Sequence, residues 1–483
     1  MVTLRAYQES AIRELQARID AGRRRIVVVA ATGSGKTVIF AHVVADAVAR
    51  GRCVLVVAHR RELIQQTYEK LLRAGLDERQ VGVVMASDTR RRPTAPVQVA
   101  SIDTLRHRPK PPADLVIVDE AHRELARSYR ELRAHYPEAV HLGFTATPYR
   151  ADNRGLGEFY EDLLLVASIR ELIDQGYLVE PRVFTVPPER LPNLAGVRVR
   201  AGDYAQDQLD AAVDQARLVG DIVEHWIKHA SGVRTVAFSV SVKHSKHIAE
   251  RFRDAGIAAE HLDGTTPLEQ RDGILARLEN GETLVVSNCG VLCEGWDQPS
   301  AKCAILARPT KSTGLYLQQA GRILRPWNGQ RAIILDHAGC AREHGLPQDE
   351  REFSLVPKPK RKRGDALQVS IRICDGCRAV LPARVRVCPE CGLLFVEERP
   401  VPTETDGQLV EASAAAPIAA ADVAAKRQAR GDRDRSMQRT VFEQLRALAR
   451  SKKQDAAWVE ARFVERYGAP PPPEWVQGAW GSL

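Results

Sequence analysis

The chain has 483 residues, 44% hydrophobic and 27% charged, a composition that excludes a wholly disordered protein and, at this length, predicts about three domains. The formal net charge of +9 favours a polyanionic partner, either nucleic acid or an anionic membrane surface. No run of about 18 apolar residues occurs and Arg5 charges the first segment, so neither a spanning helix nor a leader is expected, and the reading is cytoplasmic with no membrane role.

From residue 1 to about 150, short β-branched runs alternate with helical patterns. The runs are Ile26–Ala30, Val54–Ala58, Val97–Ser101, Leu115–Val118 and His141–Phe144. Continuous apolar strands between helices predict a parallel sheet covered on both faces. The first strand leads into Ala31-Thr32-Gly33-Ser34-Gly35-Lys36-Thr37 and then an apolar helical stretch. A strand, a Gly-rich loop and a helix N-terminus present backbone N–H groups to phosphates. Lys36 is expected to reach the β- and γ-phosphates of ATP and Thr37 to ligate Mg²⁺. The strict pattern has glycine six residues before the lysine, where this chain has Ala30. After Leu115–Val118 comes Asp119-Glu120-Ala121-His122, a DEAH sequence. Parallel sheets present ligands at their C-terminal edge, so Asp119 is expected to hold Mg²⁺ and Glu120 to orient and deprotonate the attacking water.

Residues 151–215 carry Pro, Gly and charged stretches that suit a connector. A second strand set follows: Thr235–Ser239, Ala259–Leu262, Thr283–Ser287, Cys303–Ala307 and Ala332–Asp336. Beyond about residue 345 the pattern changes. Lys358–Arg363 is a basic linker. Cys374, Cys377, Cys388 and Cys391 then form two CxxC pairs ten residues apart, a donor set for one structural Zn²⁺. A redox-active pair is the competing reading. Cys53, Cys289, Cys293, Cys303 and Cys340 read as core thiols. From Lys358 to Gly392 there are nine Lys/Arg against three acids, which reads as a phosphate-binding accessory or as a solvated linker. Because every candidate nucleotide residue lies before Pro326, a chain ending near Gly345 is expected to keep its ATPase at saturating DNA. Residues 399–432 look disordered, and Ser436–Tyr467 regains a helical pattern with Val441, Leu445, Leu448, Trp458 and Phe463. That tail reads as a packing unit, with protein docking as the alternative.

With these motifs placed, residues 3–340 resemble the superfamily 2 helicases of the DEAD/DEAH box group, in the branch that includes type I and type III restriction translocases. Leu4-Arg5-Ala6-Tyr7-Gln8 resembles the adenine-recognising motif, implying that Arg5 and Gln8 meet the base. Ala58-His59-Arg60-Arg61-Glu62-Leu63 resembles the first strand-contacting motif, and Thr145-Ala146-Thr147 the motif linking hydrolysis to domain movement. Ser287-Asn288 and Glu294-Gly295-Trp296-Asp297 resemble the motif facing nucleotide and strand, implying nucleotide contacts at Gly295 and Asp297. Gln318-Gln319-Ala320-Gly321-Arg322-Ile323-Leu324-Arg325 resembles the arginine-finger motif, implying catalytic roles for Gln318, Arg322 and Arg325. A helicase core followed by a four-cysteine module also resembles RadD-type bacterial helicases and related phage helicases.

The expected fold is therefore α/β: two tandem RecA-like parallel-sheet domains, a small zinc ribbon-like module and a short helical tail. The expected boundaries are 1–165 for the ATP-binding domain, 166–215 for a connector and 216–345 for the second RecA-like domain. A basic linker at 346–368, the zinc module at 369–398, a disordered linker at 399–432 and the tail at 433–483 complete the order. The expected function is an ATP-dependent helicase or translocase acting on single-stranded or forked DNA, with ATP, Mg²⁺ and Zn²⁺ as cofactors. A non-unwinding ATP switch and an RNA helicase are the alternatives. No nuclease or methylase segment is apparent, which argues against restriction by this chain alone.

Overall fold

The computed structural model describes the chain except residues 1, 2, 60, 87, 124–126, 149–155, 188, 189, 201, 214, 215, 357–370, 396–438, 477–483 and several positions between 440 and 468. The basic linker at 358–363 and the segment 399–432 lie outside the described residues.

Helix α1 (Ala6–Asp20) precedes strand β1 (Arg25–Ala30). Helix α2 (Lys36–Ala49), β2 (Val54–Ala58), helix α3 (Arg61–Arg73), β3 (Val81–Val84), β4 (Val97–Ser101), β5 (Leu115–Asp119), β6 (Val140–Thr145) and β7 (Asp162–Ala167) follow. The seven strands form one sheet in the order β3-β4-β2-β5-β6-β1-β7, parallel throughout. Every residue of β2 and β5 is buried, as strands covered on both faces require. This order sets the ends of β1 and β5 on the same edge of the sheet, separated only by β6, which places the glycine loop beside Asp119.

The second sheet is built from β8 (Pro181–Thr185), β11 (Thr235–Phe238), β12 (Ala259–Leu262), β13 (Val285–Asn288), β14 (Cys303–Leu306) and β15 (Ala332–Asp336), all parallel. A two-stranded hairpin, β9 (Val199–Arg200) and β10 (Asp203–Tyr204), lies between β8 and β11 in the chain. Strands β16 (Ile371–Ile373) and β17 (Ala379–Pro382) complete an eight-stranded order β12-β13-β11-β14-β15-β8-β17-β16. The expected two-sheet α/β architecture is present.

Three features depart from the sequence reading. Residues 151–215, which suit a connector by sequence, carry β7, β8 and the β9–β10 hairpin, and β7 and β8 join one large sheet each. The short runs Leu163–Ala167 and Arg182–Thr185 become strands because an existing sheet edge supplies their hydrogen bonds. Second, the hairpin carrying the first CxxC pair is continuous with the second sheet. Residue pairs Ala379–Phe184 and Val380–Val183 join β17 to β8, and Val380 is buried in that domain's core. Third, residues 345–355 return to the first domain. Leu346 is in the second core, while Gly157 N donates to Leu355 O at 3.1 Å and Leu355 packs with Val27, Ala121, Leu156 and Tyr160. A cut near Gly345 therefore removes packed structure from both cores.

The described chain divides into two compact units, 1–384 and 385–483. In the second, Phe442, Ala449, Val459 and Phe463 are buried together, with Leu445, Trp458 and Trp475 against them. The helix Ala456–Tyr467 contributes Val459 and Phe463 to this core, with Trp458 packed against it and Val464 exposed. Among the described residues no helix is long and apolar enough to cross a membrane.

Candidate nucleotide cleft and metal centre

The glycine loop is shaped by two left-handed residues, Gly33 (φ +89°) and Gly35 (φ +80°), the second immediately before α2. A Cβ at Gly35 would stand 2.5 Å from Gln8 Nε2 and displace that amide, and the left-handed φ itself favours glycine here. Gln8 Nε2 donates to Ser34 O at 2.9 Å, and the Tyr7 hydroxyl donates to the same carbonyl at 2.6 Å. The Arg5 guanidinium lies 4.5 Å from the Tyr177 ring centroid. Ser34 Oγ is buried with no hydrogen-bond partner among the described residues, and Thr37 is half-buried in the first turn of α2. A loop of this shape, with an unsatisfied hydroxyl, fits a phosphate.

Lys36 Nζ lies 2.9 Å from Asp119 Oδ1 and also hydrogen-bonds Glu120 Oε1. Burial alone would lower the Lys36 pKa, but the two carboxylates outweigh it and hold the ammonium above the ordinary lysine value. Burial would likewise raise Glu120, yet Lys36 and His122 hold its carboxyl below the usual range. Glu120 has φ +56°, a left-handed backbone at a non-glycine residue, which costs about 1–3 kcal/mol. The turn is supported by Glu120 N donating to Asp119 Oδ1 at 3.0 Å. His122 Nδ1 stands 3.4 Å from Glu120 Oε2 and 3.2 Å from Thr145 Oγ1, and the Thr145 hydroxyl donates to Thr147 O at 2.7 Å. A chain of polar contacts therefore runs from Glu120 to the Thr145–Thr147 segment.

The second domain closes the site. Helix Thr313–Gly321 carries Gln318, which is buried. A Cβ at Gly321 would lie 2.5 Å from Thr32 Cβ, so its bare backbone permits the two domains to meet at the glycine loop. Arg325 pairs with Asp297, and its Cγ and Nε are 3.8 Å from the Cβ position of Gly33. Arg322 is placed differently. Its Nε and Nη2 donate to Cys293 O at 3.1 and 2.7 Å and its Nη1 to Trp296 O at 2.5 Å. Its fork thus holds the 293–296 loop, whereas both arginines were expected to face the phosphate. Gly295 O accepts from Gln66 Nε2 of α3, and His59 Nε2 lies 3.0 Å from Glu294 Oε2.

Among the sequence-derived residues, the structure gathers Gln8, Thr32, Gly33, Ser34, Gly35, Lys36, Asp119, Glu120, Arg325 and Asp297 around one cleft. Tyr177 and Lys70 were not foreseen. Tyr177 sits under Arg5 and 5.2 Å from Tyr7, bringing a second ring to the base-recognising motif. Lys70 lies on α3, with its pKa lowered by burial and with Asp297, Arg325, Asp119 and Lys36 in its field. Neither residue carries a local sequence signal, because both reach the cleft through tertiary packing.

The four cysteine sulfurs of 374, 377, 388 and 391 lie within 4.8 Å of one another. A tetrahedral Zn²⁺ with thiolate bonds of about 2.3 Å needs sulfurs gathered in this way, so the donor set fits. Both pairs have the same local design. Arg378 N donates to Cys374 O at 2.8 Å and Gly392 N to Cys388 O at 2.8 Å. Arg378 (φ +63°) and Gly392 (φ +76°) take the left-handed position after each second cysteine. Of the other thiols, Cys293, Cys303 and Cys340 are buried and Cys53 and Cys289 half-buried.

Comparison with known proteins agrees with this arrangement. Residues 1–150 match the family described as type III restriction enzyme, res subunit, and residues 216–326 match the helicase conserved C-terminal domain. A 51.5 kDa protein of a Lactococcus phage (isolate 7-9) is 31% identical over 369 residues, covering 76% of this chain and 78% of its own length. The putative ATP-dependent helicase IRC3 of Saccharomyces cerevisiae is 32% identical over 408 residues, covering 78% of this chain, which spans 59% of that protein. The solved structure of the ATP-dependent Type ISP restriction-modification enzyme LlaBIII bound to DNA shares the fold at a TM-score of 0.52 and 18% identity, over 69% of this chain and 27% of that one. The chain belongs to the superfamily 2 helicases, in the restriction-enzyme-like and IRC3-like branch that joins a res-subunit domain to a conserved helicase C-terminal domain.

Proposed function

We propose that this chain hydrolyses ATP in the cleft between its two RecA-like domains and uses the cycle to move on, or remodel, DNA. One observation carries the reading. Arg325 of the second domain lies against Gly33 of the first domain's glycine loop, beside the Lys36–Asp119–Glu120 constellation.

In this reading Gly33, Ser34, Gly35 and Lys36 bind the phosphates, and Arg5, Gln8 and Tyr177 frame the base. Thr37 and Asp119 would hold Mg²⁺, which neutralises phosphate charge. Glu120 orients the attacking water and takes its proton, while Lys36 offsets the charge of both carboxylates until phosphate replaces them. Arg325 stabilises charge developing on the γ-phosphate, and Asp297 holds its guanidinium in place. Arg322 and Gln318 shape the second wall. Hydrolysis then depends on closure of the two domains, and release on their opening.

DNA is the proposed substrate for two reasons. The 58–63 and 294–297 motifs resemble those of DNA translocases, and the family relationships run to restriction enzymes. The four-cysteine module would bind Zn²⁺, and its basic surroundings would add non-specific grip on the duplex or fork. ATPase rates with single-stranded DNA, duplex, forked DNA and RNA test the reading. Stimulation by single-stranded or forked DNA well above RNA is expected. A preference for RNA, or no stimulation by any nucleic acid, overturns it.

A further inference from the structure

Lys302 is fully buried, yet among the described residues no carboxylate hydrogen-bonds or pairs with its ammonium group. Its Nζ donates to Ile323 O at 2.8 Å and to Arg325 O at 2.5 Å. Between these two, Leu324 O accepts from Val179 N at 2.7 Å. Three successive carbonyls of the segment that follows helix Thr313–Gly321 are thereby fixed, two by one side chain. The backbone of Lys302 is itself pinned. Its N–H donates to Arg234 O at 3.0 Å and its carbonyl accepts from Ile333 N at 2.8 Å. Ile323 and Leu324 are buried in the second core, so the segment has one rigid setting. Arg325 extends from this setting to the glycine loop of the other domain.

A buried cation without a counter-ion is costly, and an apolar side chain of similar length would fill the same volume. Burial first, and then the neighbouring Arg325, lower the Lys302 pKa to about 8. The carbonyls of 323 and 325 are what the ammonium gains in return.

We infer that Lys302 is a positioning residue for hydrolysis, holding the backbone of 323–325 so that Arg325 stays aligned with the phosphate-binding loop. This rests on the proposed action of Arg325 on the γ-phosphate. A displacement of about 1 Å at a catalytic group can cost about 100-fold in rate, so small movements of this segment matter.

The test is a double-mutant cycle on the full-length protein with saturating nucleic acid, using Lys302→Met, Arg325→Ala and the combination. Lys302→Met should lower kcat about 10- to 100-fold with little change in the KM for ATP, because ATP is bound by the first domain. On the Arg325→Ala background it should lower kcat no further. If Lys302→Met does not fold, Lys302→Gln, which keeps an N–H donor for one carbonyl, is run through the same cycle with a smaller expected fall. An unchanged kcat in a folded variant overturns the inference, and so does an equal fall in both backgrounds. A wild-type kcat in Arg325→Ala alone is a separate result and refutes the arginine reading itself.

Discussion

His59 Nε2 on the first domain lies 3.0 Å from Glu294 Oε2 on the second, in a contact that spans the cleft. His59 belongs to the motif that resembles the first strand-contacting element, and Glu294 lies in the 293–296 loop held by Arg322. Beside them, Gln66 donates to Gly295 O. In the proposed function, strand binding and cleft closure therefore meet at one place. A hydrogen bond to a charged group contributes about 1.5–3 kcal/mol, or roughly 10- to 100-fold in a closing equilibrium. His59→Ala should therefore lower the stimulation of ATPase by nucleic acid by that order. Rates with and without saturating single-stranded DNA check this, and an unchanged ratio counts against the coupling.

Lys36 and Glu120 make distinguishable predictions. Lys36→Ala removes the group that neutralises phosphate charge and should weaken ATP binding together with turnover. Glu120→Gln keeps the shape of the turn and a carbonyl oxygen that accepts a hydrogen bond from the water, but cannot take its proton. It should bind ATP near normally and hydrolyse it at a small fraction of the normal rate. Nucleotide binding by fluorescence titration, alongside steady-state turnover, separates the two. Normal turnover by Glu120→Gln contradicts its role.

Much of this site was legible in the sequence because its parts are local. A strand, a glycine loop and a helix follow one another from Ile26 to Phe40, and Asp119-Glu120 directly ends a strand. Their joint geometry follows from strand order, which parallel-sheet rules anticipate. Other parts were not legible because long-range contacts decide them. Strand β8 looks like connector until the β15 edge pairs with it. Tyr177 and Lys70 carry no motif and reach the site through packing. The motif treats Arg322 and Arg325 alike, and only the carbonyls of Cys293 and Trp296 separate them.

Purified protein should carry one Zn²⁺ per chain, measured by elemental analysis of anaerobically prepared material. Strong chelation should remove it and lower the melting temperature, because the first CxxC hairpin is joined to β8 by strand pairing. Cys374→Ser should do the same. Metal-free protein with unchanged stability contradicts the structural zinc reading.

Truncation after Gly345 should destabilise the second domain rather than yield a minimal motor. It deletes Leu346 and Val380 from the core and leaves the β8 edge unpaired. Losing one buried leucine side chain costs about 2–5 kcal/mol, against a total stability of about 5–15 kcal/mol for a domain. Thermal unfolding and limited proteolysis of the truncated chain measure this. A truncated protein with full-length stability shows that the β16–β17 hairpin and the 346–355 segment are passive.

The central claim is that ATP is hydrolysed between the two domains, with Arg325 acting across the cleft. Single-turnover hydrolysis by Arg325→Ala, with nucleic acid saturating and ATP binding verified, tests it most directly. Loss of an arginine acting on transition-state charge reduces the rate by about 10³–10⁵. The account predicts a fall of that order with ATP affinity largely retained. Hydrolysis by Arg325→Ala at the wild-type rate would contradict the two-domain cleft.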